Sequence, residues 1–156
     1  MKKILYLIGF IALCEAVGIA GSVFTSDQIE TWYRAVLVLP SFTPPNWLFG
    51  PVWTTLYALM GYALYTLWYA QKNAARTRAL TAFWIQLTLN ALWTPVFFGA
   101  HALGLAFLII ILMFVAILAT MILGYRVKPM VAWLLLPYLV WVGFASTLNG
   151  AIWWLN

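Results

Sequence analysis

The sequence predicts an all-α integral membrane protein, a bundle of five transmembrane helices with a short helical segment in its first loop. Three observations carry this. Of the 156 residues 66% are hydrophobic and only 7% are charged. The sparse charges divide the chain into five apolar stretches, each close to the roughly 20 residues that cross a bilayer core. Runs such as Leu105 to Leu118 are apolar all round, as a lipid-embedded helix is, whereas a membrane β-strand alternates with period two. The stretches fall at about 4–25, 47–70, 80–98, 102–125 and 130–154, and each spans with modest tilt. A chain of this length makes one bundle, so residues 1–156 are read as a single domain.

The first span follows Lys2 and Lys3 and runs to Thr25 without the small-residue cleavage site of a signal peptide. It carries Glu15, Gly18 and Ser22 on one stripe. A long connection follows, Ser26 to Asn46, in which Gln28 to Leu39 places Trp32, Val36 and Leu39 on one helical face with Tyr33 and Leu37 beside them. Pro40, Pro44 and Pro45 then forbid further helix. Ordered loops of this length serve as lids or binding segments, or as plain interfacial connectors.

The second span has Trp53, Tyr57 and Gly61 every four residues, and the third has Gln86, Asn90 and Trp93 on one side. The fourth has only Thr120 on an Ile, Leu, Met, Val and Ala surface, and is read as the most lipid-facing. The fifth repeats Pro137, Trp141, Ala145 and Asn149 at four-residue spacing, with Ser146 and Thr147 adjacent.

Lys2, Lys3, Lys72, Arg76, Arg78, Arg126 and Lys128 fall on one side of such a bundle, and only Arg34 on the other, with Asp27 and Glu30. The bias places the N-terminus inside and the C-terminus outside. It also accounts for the net charge of +5, so no nucleic-acid partner is expected. With that orientation Ser22, Trp53, Asn90, Trp93 and Asn149 converge in the outer half, beneath the long loop. Polar groups in hydrocarbon face a bundle interior or a cavity, and an aromatic-walled cavity with a few polar groups suits a flat or polycyclic ligand. The same stripes also serve helix packing, and an interfacial belt absorbs Trp47, Trp68, Tyr69, Trp153 and Trp154.

Several chemistries are excluded. His101 has no Cys, Asp or Glu cluster near it, so no metal is expected, and Cys14 is a lone mid-span thiol. No phosphate loop, Ser/His/Asp set or carboxylate pair is visible, which argues against conventional hydrolysis and phosphoryl transfer. Glu15 is the single intramembrane acid, and such a group is a functional candidate by default.

Trp32-Tyr33, Pro40-Ser41-Phe42-Thr43-Pro44-Pro45, Trp53 with Leu56-Tyr57, Asn90 through Gly99, and Pro137 through Trp141 with Phe144-Ala145 and Leu148-Asn149 together resemble the TspO/MBR family. Its bacterial members are tryptophan-rich sensory proteins and its mitochondrial members translocator proteins, or peripheral benzodiazepine receptors. The resemblance implies a bacterial membrane protein, usually a homodimer. It further implies a cavity opening towards the first loop that takes tetrapyrroles such as protoporphyrin IX and haem, with no required cofactor.

Carried over by motif, the ligand contacts are Trp53 and Tyr57, Asn90 and Trp93, Trp141, Ala145 and Asn149, with Tyr33 as a lid contact. The resemblance also implies light-dependent porphyrin degradation in some members, with Trp53 and Trp141 as the residues involved. Transport of tetrapyrroles or lipids is a third reading, motivated by Glu15. Sterol recognition, which in animal members ends in a basic residue after the last span, lacks that cation here because nothing basic follows Lys128.

Overall fold

Five long α-helices account for most of the chain. In the computed structural model, which describes residues 2–156 apart from the side chain of Lys2, they are α1 (Lys2–Thr25), α2 (Asn46–Trp68), α3 (Ala74–Thr94), α4 (Leu103–Val127) and α5 (Pro129–Leu155). Two five-residue π turns, Ile29–Tyr33 and Pro95–Gly99, sit at the same end of the molecule, and no strand occurs among the described residues.

Consecutive helices run in opposite directions, across the long first connection as across the three short ones. Thr94 late in α3 lies beside Gly21 late in α1, and Phe107 early in α4 lies beside Gly150 late in α5. At the other end Tyr6 meets Tyr69, and Gly124 meets Val131. Lys3, Lys72, Arg76, Arg78, Arg126 and Lys128 therefore gather at one end, and Asp27, Glu30 and Arg34 at the other.

The third helix starts six residues before the charge pattern predicts. Asn73 caps it, its side chain accepting the Arg76 N–H at 2.8 Å. Arg76 and Arg78 thus mark a boundary of apolar surface within a helix that has already begun. Arg76 also donates from Nε to the Leu67 carbonyl (3.0 Å) and from Nη2 to the Trp68 carbonyl (2.7 Å), and lies 5.5 Å from the centre of the Trp68 ring. One guanidinium from α3 thereby satisfies the last carbonyls of α2. Arg76→Ala is expected to lower stability by about 1 kcal/mol, read as an earlier unfolding midpoint in detergent, with Arg78→Ala neutral.

At its far end α3 stops at Thr94 rather than Phe98, because Pro95 has no N–H to continue the ladder. The chain relaxes into the wider turn, closed by the Ala100 N–H on the Pro95 carbonyl at 2.9 Å. This rotation buries Phe97.

Two sequence expectations are corrected. The predicted helix from Gln28 to Leu39 is confined to Ile29–Tyr33. Pro40 biases Leu39 towards extended backbone, and Asn156 pins Val38 by accepting its N–H (2.9 Å) and donating to its carbonyl (3.1 Å). Trp32, Leu37 and Leu39 pack against the cluster around Tyr33 and Phe97, but Val36 points outward.

Nor is α4 the most lipid-facing helix. It buries Ala106, Ile110, Met113, Ala116, Ile117, Thr120 and Gly124, whereas among the described side chains of α1 only Cys14 is fully buried. The alternating four- and three-residue spacing from Ala106 to Gly124 is a packing seam. An all-apolar composition hides the seam because lipid and protein neighbours demand the same residue types.

Lys3–Thr25, Leu103–Val127 and Pro129–Leu155 are long and apolar enough to cross a membrane by length and composition. α2 and α3 match them in length, but their indoles, phenols, hydroxyls and amides, and the arginines of α3, make them more polar. That polarity belongs to the site.

Candidate functional site

A cavity of about 420 Å³ lies inside the end of the bundle opposite the lysines, bordered by all five helices and by the first loop. Each helix contributes through its local pattern. Trp53 and Tyr57 stand one turn apart on α2, Asn90 and Trp93 on α3, and Trp141, Ala145 and Asn149 on α5. Tyr33 enters from the π turn of the loop. All eight residues singled out from the sequence thus border one space, as do Glu15, Gly18 and Ser22 of the α1 stripe.

Gln86 and Gly61, from the same stripes, do not border it. Gly61 lies where α1 crosses α2, and Gln86 is fully buried with neither amide atom partnered among the described residues. Pro137 faces a separate groove between α2 and α5, which it shares with the outer side of Trp141.

The polar groups at the cavity wall are mostly occupied. Tyr57 donates its hydroxyl to Asn90 Oδ1 at 2.6 Å, Asn90 Nδ2 donates to the Tyr138 hydroxyl at 2.9 Å, and that hydroxyl donates onward to Met113 Sδ at 3.4 Å. One amide thus ties α2, α3, α5 and α4 together. Nearer the mouth Trp93 donates from Nε1 to Asn149 Oδ1 at 3.0 Å, and Asn149 Nδ2 donates to the Leu103 carbonyl at 3.2 Å. Asn90 and Asn149 therefore set the walls, and their amides are spent on neighbours. By contrast, the buried indole N–H of Trp141 has no acceptor among the described residues.

Aromatic rings supply the surface. Trp93 stacks on Phe97 with centroids 5.0 Å apart, and Tyr33 tilts against Phe97 (6.1 Å) and Phe98 (5.8 Å). Opposite them, Trp53 lies 5.5 Å from Tyr57 and 6.3 Å from Tyr138, and Trp141 is wedged between Phe49 (5.9 Å) and Phe144 (5.6 Å). Sequence reasoning missed Phe49, Phe97, Phe98, Ile110 and Met113 as lining residues. For the α4 pair the signal was the seam spacing; for Phe97 and Phe98 it was Pro95, which turns that segment inward.

The loop above is clasped at several points. Arg34 donates from Nε and Nη2 to Asn46 Oδ1 (both 3.0 Å), and Asn46 Nδ2 donates to Glu30 Oε1 at 3.0 Å. Trp32 stacks on His101 at 3.9 Å and 9°, and His101 Nε2 pairs with Gln28 Oε1 at 2.9 Å. These contacts stabilise the left-handed backbone of His101 (φ 53°), a conformation uncommon outside glycine. Burial pushes the Tyr33 phenol up to about 12, partly offset by the Arg34 charge, so it stays protonated at ordinary pH. No cluster of three His, Cys, Asp or Glu side chains suited to a metal occurs among the described residues.

An aromatic cavity enclosed by apolar helices, three of them long and apolar enough to cross a bilayer, defines an integral membrane protein with a small-molecule pocket. The TspO/MBR family profile matches residues 10–155, and the chain belongs to that family. It is 45% identical to the tryptophan-rich protein TspO of Archaeoglobus fulgidus over 155 residues, covering 99% of both chains. It is 41% identical to the Homo sapiens translocator protein over 138 residues, which is 85% of this chain and 79% of that one. With the tryptophan-rich sensory protein of Cereibacter sphaeroides it shares 35% identity over 140 residues, 90% and 84% of the two chains.

Proposed function

We propose that the protein is a membrane receptor that holds a porphyrin-type tetrapyrrole, such as protoporphyrin IX or haem, or a related hydrophobic ligand, in the cavity between its helices. All five helices cross the bilayer as one domain, with the N-terminus inside. Supporting this are the bias of Lys and Arg to one end, with only Arg34 at the other, and the lengths of α2 and α3, at 23 and 21 residues. A bacterial membrane, and assembly with a second copy, are what the family resemblance adds.

One observation carries the ligand class: Trp53, Trp93 and Trp141 all border the same cavity of about 420 Å³, which is within the usual range for small-molecule sites. Their broad faces suit a flat macrocycle, and burying such faces is the largest contribution available in an apolar pocket. Tyr33 covers the ligand, Tyr57 and Ala145 shape its bed, and Asn90 and Asn149 keep the walls apart. The buried Trp141 N–H gains an acceptor if the ligand presents a carbonyl or carboxylate oxygen there.

Titration with protoporphyrin IX, followed by tryptophan quenching, tests the reading. The Trp53→Phe, Trp141→Phe double variant is expected to bind roughly tenfold more weakly, since each indole face contributes about 0.5–1.5 kcal/mol of stacking. Wild-type affinity in that variant rules out this bed for the macrocycle.

The succession of oxidisable rings from Trp53 to Tyr57 and Tyr138 favours a second reading, oxidative porphyrin breakdown in light, in which Trp53 and Trp141 give an electron to the excited porphyrin and dissolved dioxygen is the oxidant consumed. It requires product under illumination that disappears in the Trp53→Phe variant. Transport instead rests on Glu15 bordering the cavity, and requires vesicle uptake that Glu15→Gln abolishes.

A further inference from the structure

The cavity's exposed border is confined to two helices. Its α3, α4 and α5 lining, including Asn90, Met113 and Asn149, is buried or half-buried. On α1, however, Ile19 is 67% exposed and Ser22 is exposed, and on α2 so are Gly50 and Thr54. These four residues line the cavity and face the surroundings at once, so the space is open between α1 and α2.

The helix crossing explains the gap. Lower down, a methyl on Gly61 would collide with the Ile11 backbone and one on Gly18 with the Tyr57 ring, so α1 and α2 touch there. Higher up, α1 leans on α3 instead. Gly21 sits against Thr94, where an added Cβ would lie 3.3 Å from Oγ1, and Phe24 sits against Gly99. An added Cβ on Gly50 meets nothing within 4 Å. The two helices therefore diverge towards the loop end.

The rim suits hydrocarbon. Ser22 donates its hydroxyl to the Ile19 carbonyl (2.7 Å) and Thr54 to the Gly50 carbonyl (3.0 Å), which removes most of the cost of placing hydroxyls beside acyl chains. The loop, meanwhile, is held shut by the Arg34–Asn46–Glu30, Trp32–His101 and Val38–Asn156 contacts.

The geometry points to a side door: hydrophobic ligands pass between the bilayer and the cavity through the gap between α1 and α2, and not from water beneath the loop. This rests on the membrane-crossing arrangement proposed above but on no particular ligand. Its partner is the acyl region of the outer leaflet, in which apolar molecules are already concentrated.

A cysteine reporter in lipid nanodiscs tests it. With Cys14→Ala removing the native thiol, Ala145→Cys places a thiol at the cavity wall. Its reaction with an apolar N-alkylmaleimide dissolved in the bilayer is expected to slow about tenfold when Ser22→Trp and Thr54→Trp narrow the gap, and to stay within about twofold when Asn156→Ala frees the loop. Acceleration by Asn156→Ala with no effect of the gap substitutions would place the opening under the loop and overturn the inference, as would equal rates in all variants. Ser22 and Thr54 are exposed, so folding is checked by helical circular dichroism and monodispersity. The reporter uses no tetrapyrrole, so failure of protoporphyrin IX to bind the unsubstituted protein bears on ligand class alone.

Discussion

Asn90→Leu is expected to destabilise the protein by about 2–3 kcal/mol, although leucine has the same branching and the same number of side-chain heavy atoms as asparagine. The amide accepts from Tyr57 and donates to Tyr138, and all three side chains are buried. Replacing it removes both bonds at once. Tyr138 retains Met113 Sδ as a partner for its proton, but the Tyr57 hydroxyl is left as a buried donor with nothing to meet it. Polar contacts between membrane helices are often worth only about 0.6 kcal/mol, because the separated helices find other partners. The larger figure applies here because one residue joins three helices at the cavity floor.

Unfolding by denaturing detergent measures the loss, and a cycle with Tyr57→Phe apportions it. Tyr57→Phe alone should cost about 1 kcal/mol, and the double variant should be less destabilised than the two single losses added, by about 1 kcal/mol or more. Wild-type stability in Asn90→Leu would mean the amide serves only the ligand.

That node also marks how far the sequence could be read. The stripe on α3 was legible because Asn90 and Trp93 are rare polar and amphipathic groups in an apolar span. Their spacing alone puts them on the same face as the α2 and α5 stripes. What spacing does not reveal is whether an amide faces the ligand or a neighbour. Tyr138 lies outside the four-residue repeat of Pro137, Trp141, Ala145 and Asn149, so its bond to Asn90 had no sequence signature.

The helices themselves were readable because hydropathy sets their number. Their ends were readable to within two residues except in α3, because charges locate where apolar surface stops and caps locate where backbone bonding stops. In α3 those differ by six residues. The loop failed for another reason: its conformation depends on Asn156, 118 residues distant from Val38, and no local pattern encodes that. Glu15 and Ser22 were legible as a stripe, yet the exposure of Ser22 to both the cavity and the surroundings depends on how α1 tilts.

That tilt is governed by Gly61, and Gly61→Val is expected to be among the most damaging single substitutions in the protein. An added Cβ there lies 2.7 Å from the Ile11 nitrogen and 2.9 Å from its Cγ1, in the interior of α1. A side chain in the way can rotate; a helix backbone must move as a body. Overpacking of a well-filled contact costs typically 1–3 kcal/mol, and with backbone as the obstacle about 3 kcal/mol is the expected minimum.

Because α1 rests on α2 at this crossing, the added bulk pries the first helix off its main support. The cavity wall formed by Glu15, Gly18 and Ser22 then shifts with it. The measurements are the yield of monodisperse protein in mild detergent and its unfolding midpoint, set beside Gly9→Val. That control adds the same side chain in α1, where a Cβ meets nothing within 4 Å, so its cost should stay near the helix-propensity difference, a few tenths of a kcal/mol in either direction. If Gly61→Val and Gly9→Val unfold together, α1 is not seated by this close approach, and the divergence that opens the gap towards Gly50 must have another cause.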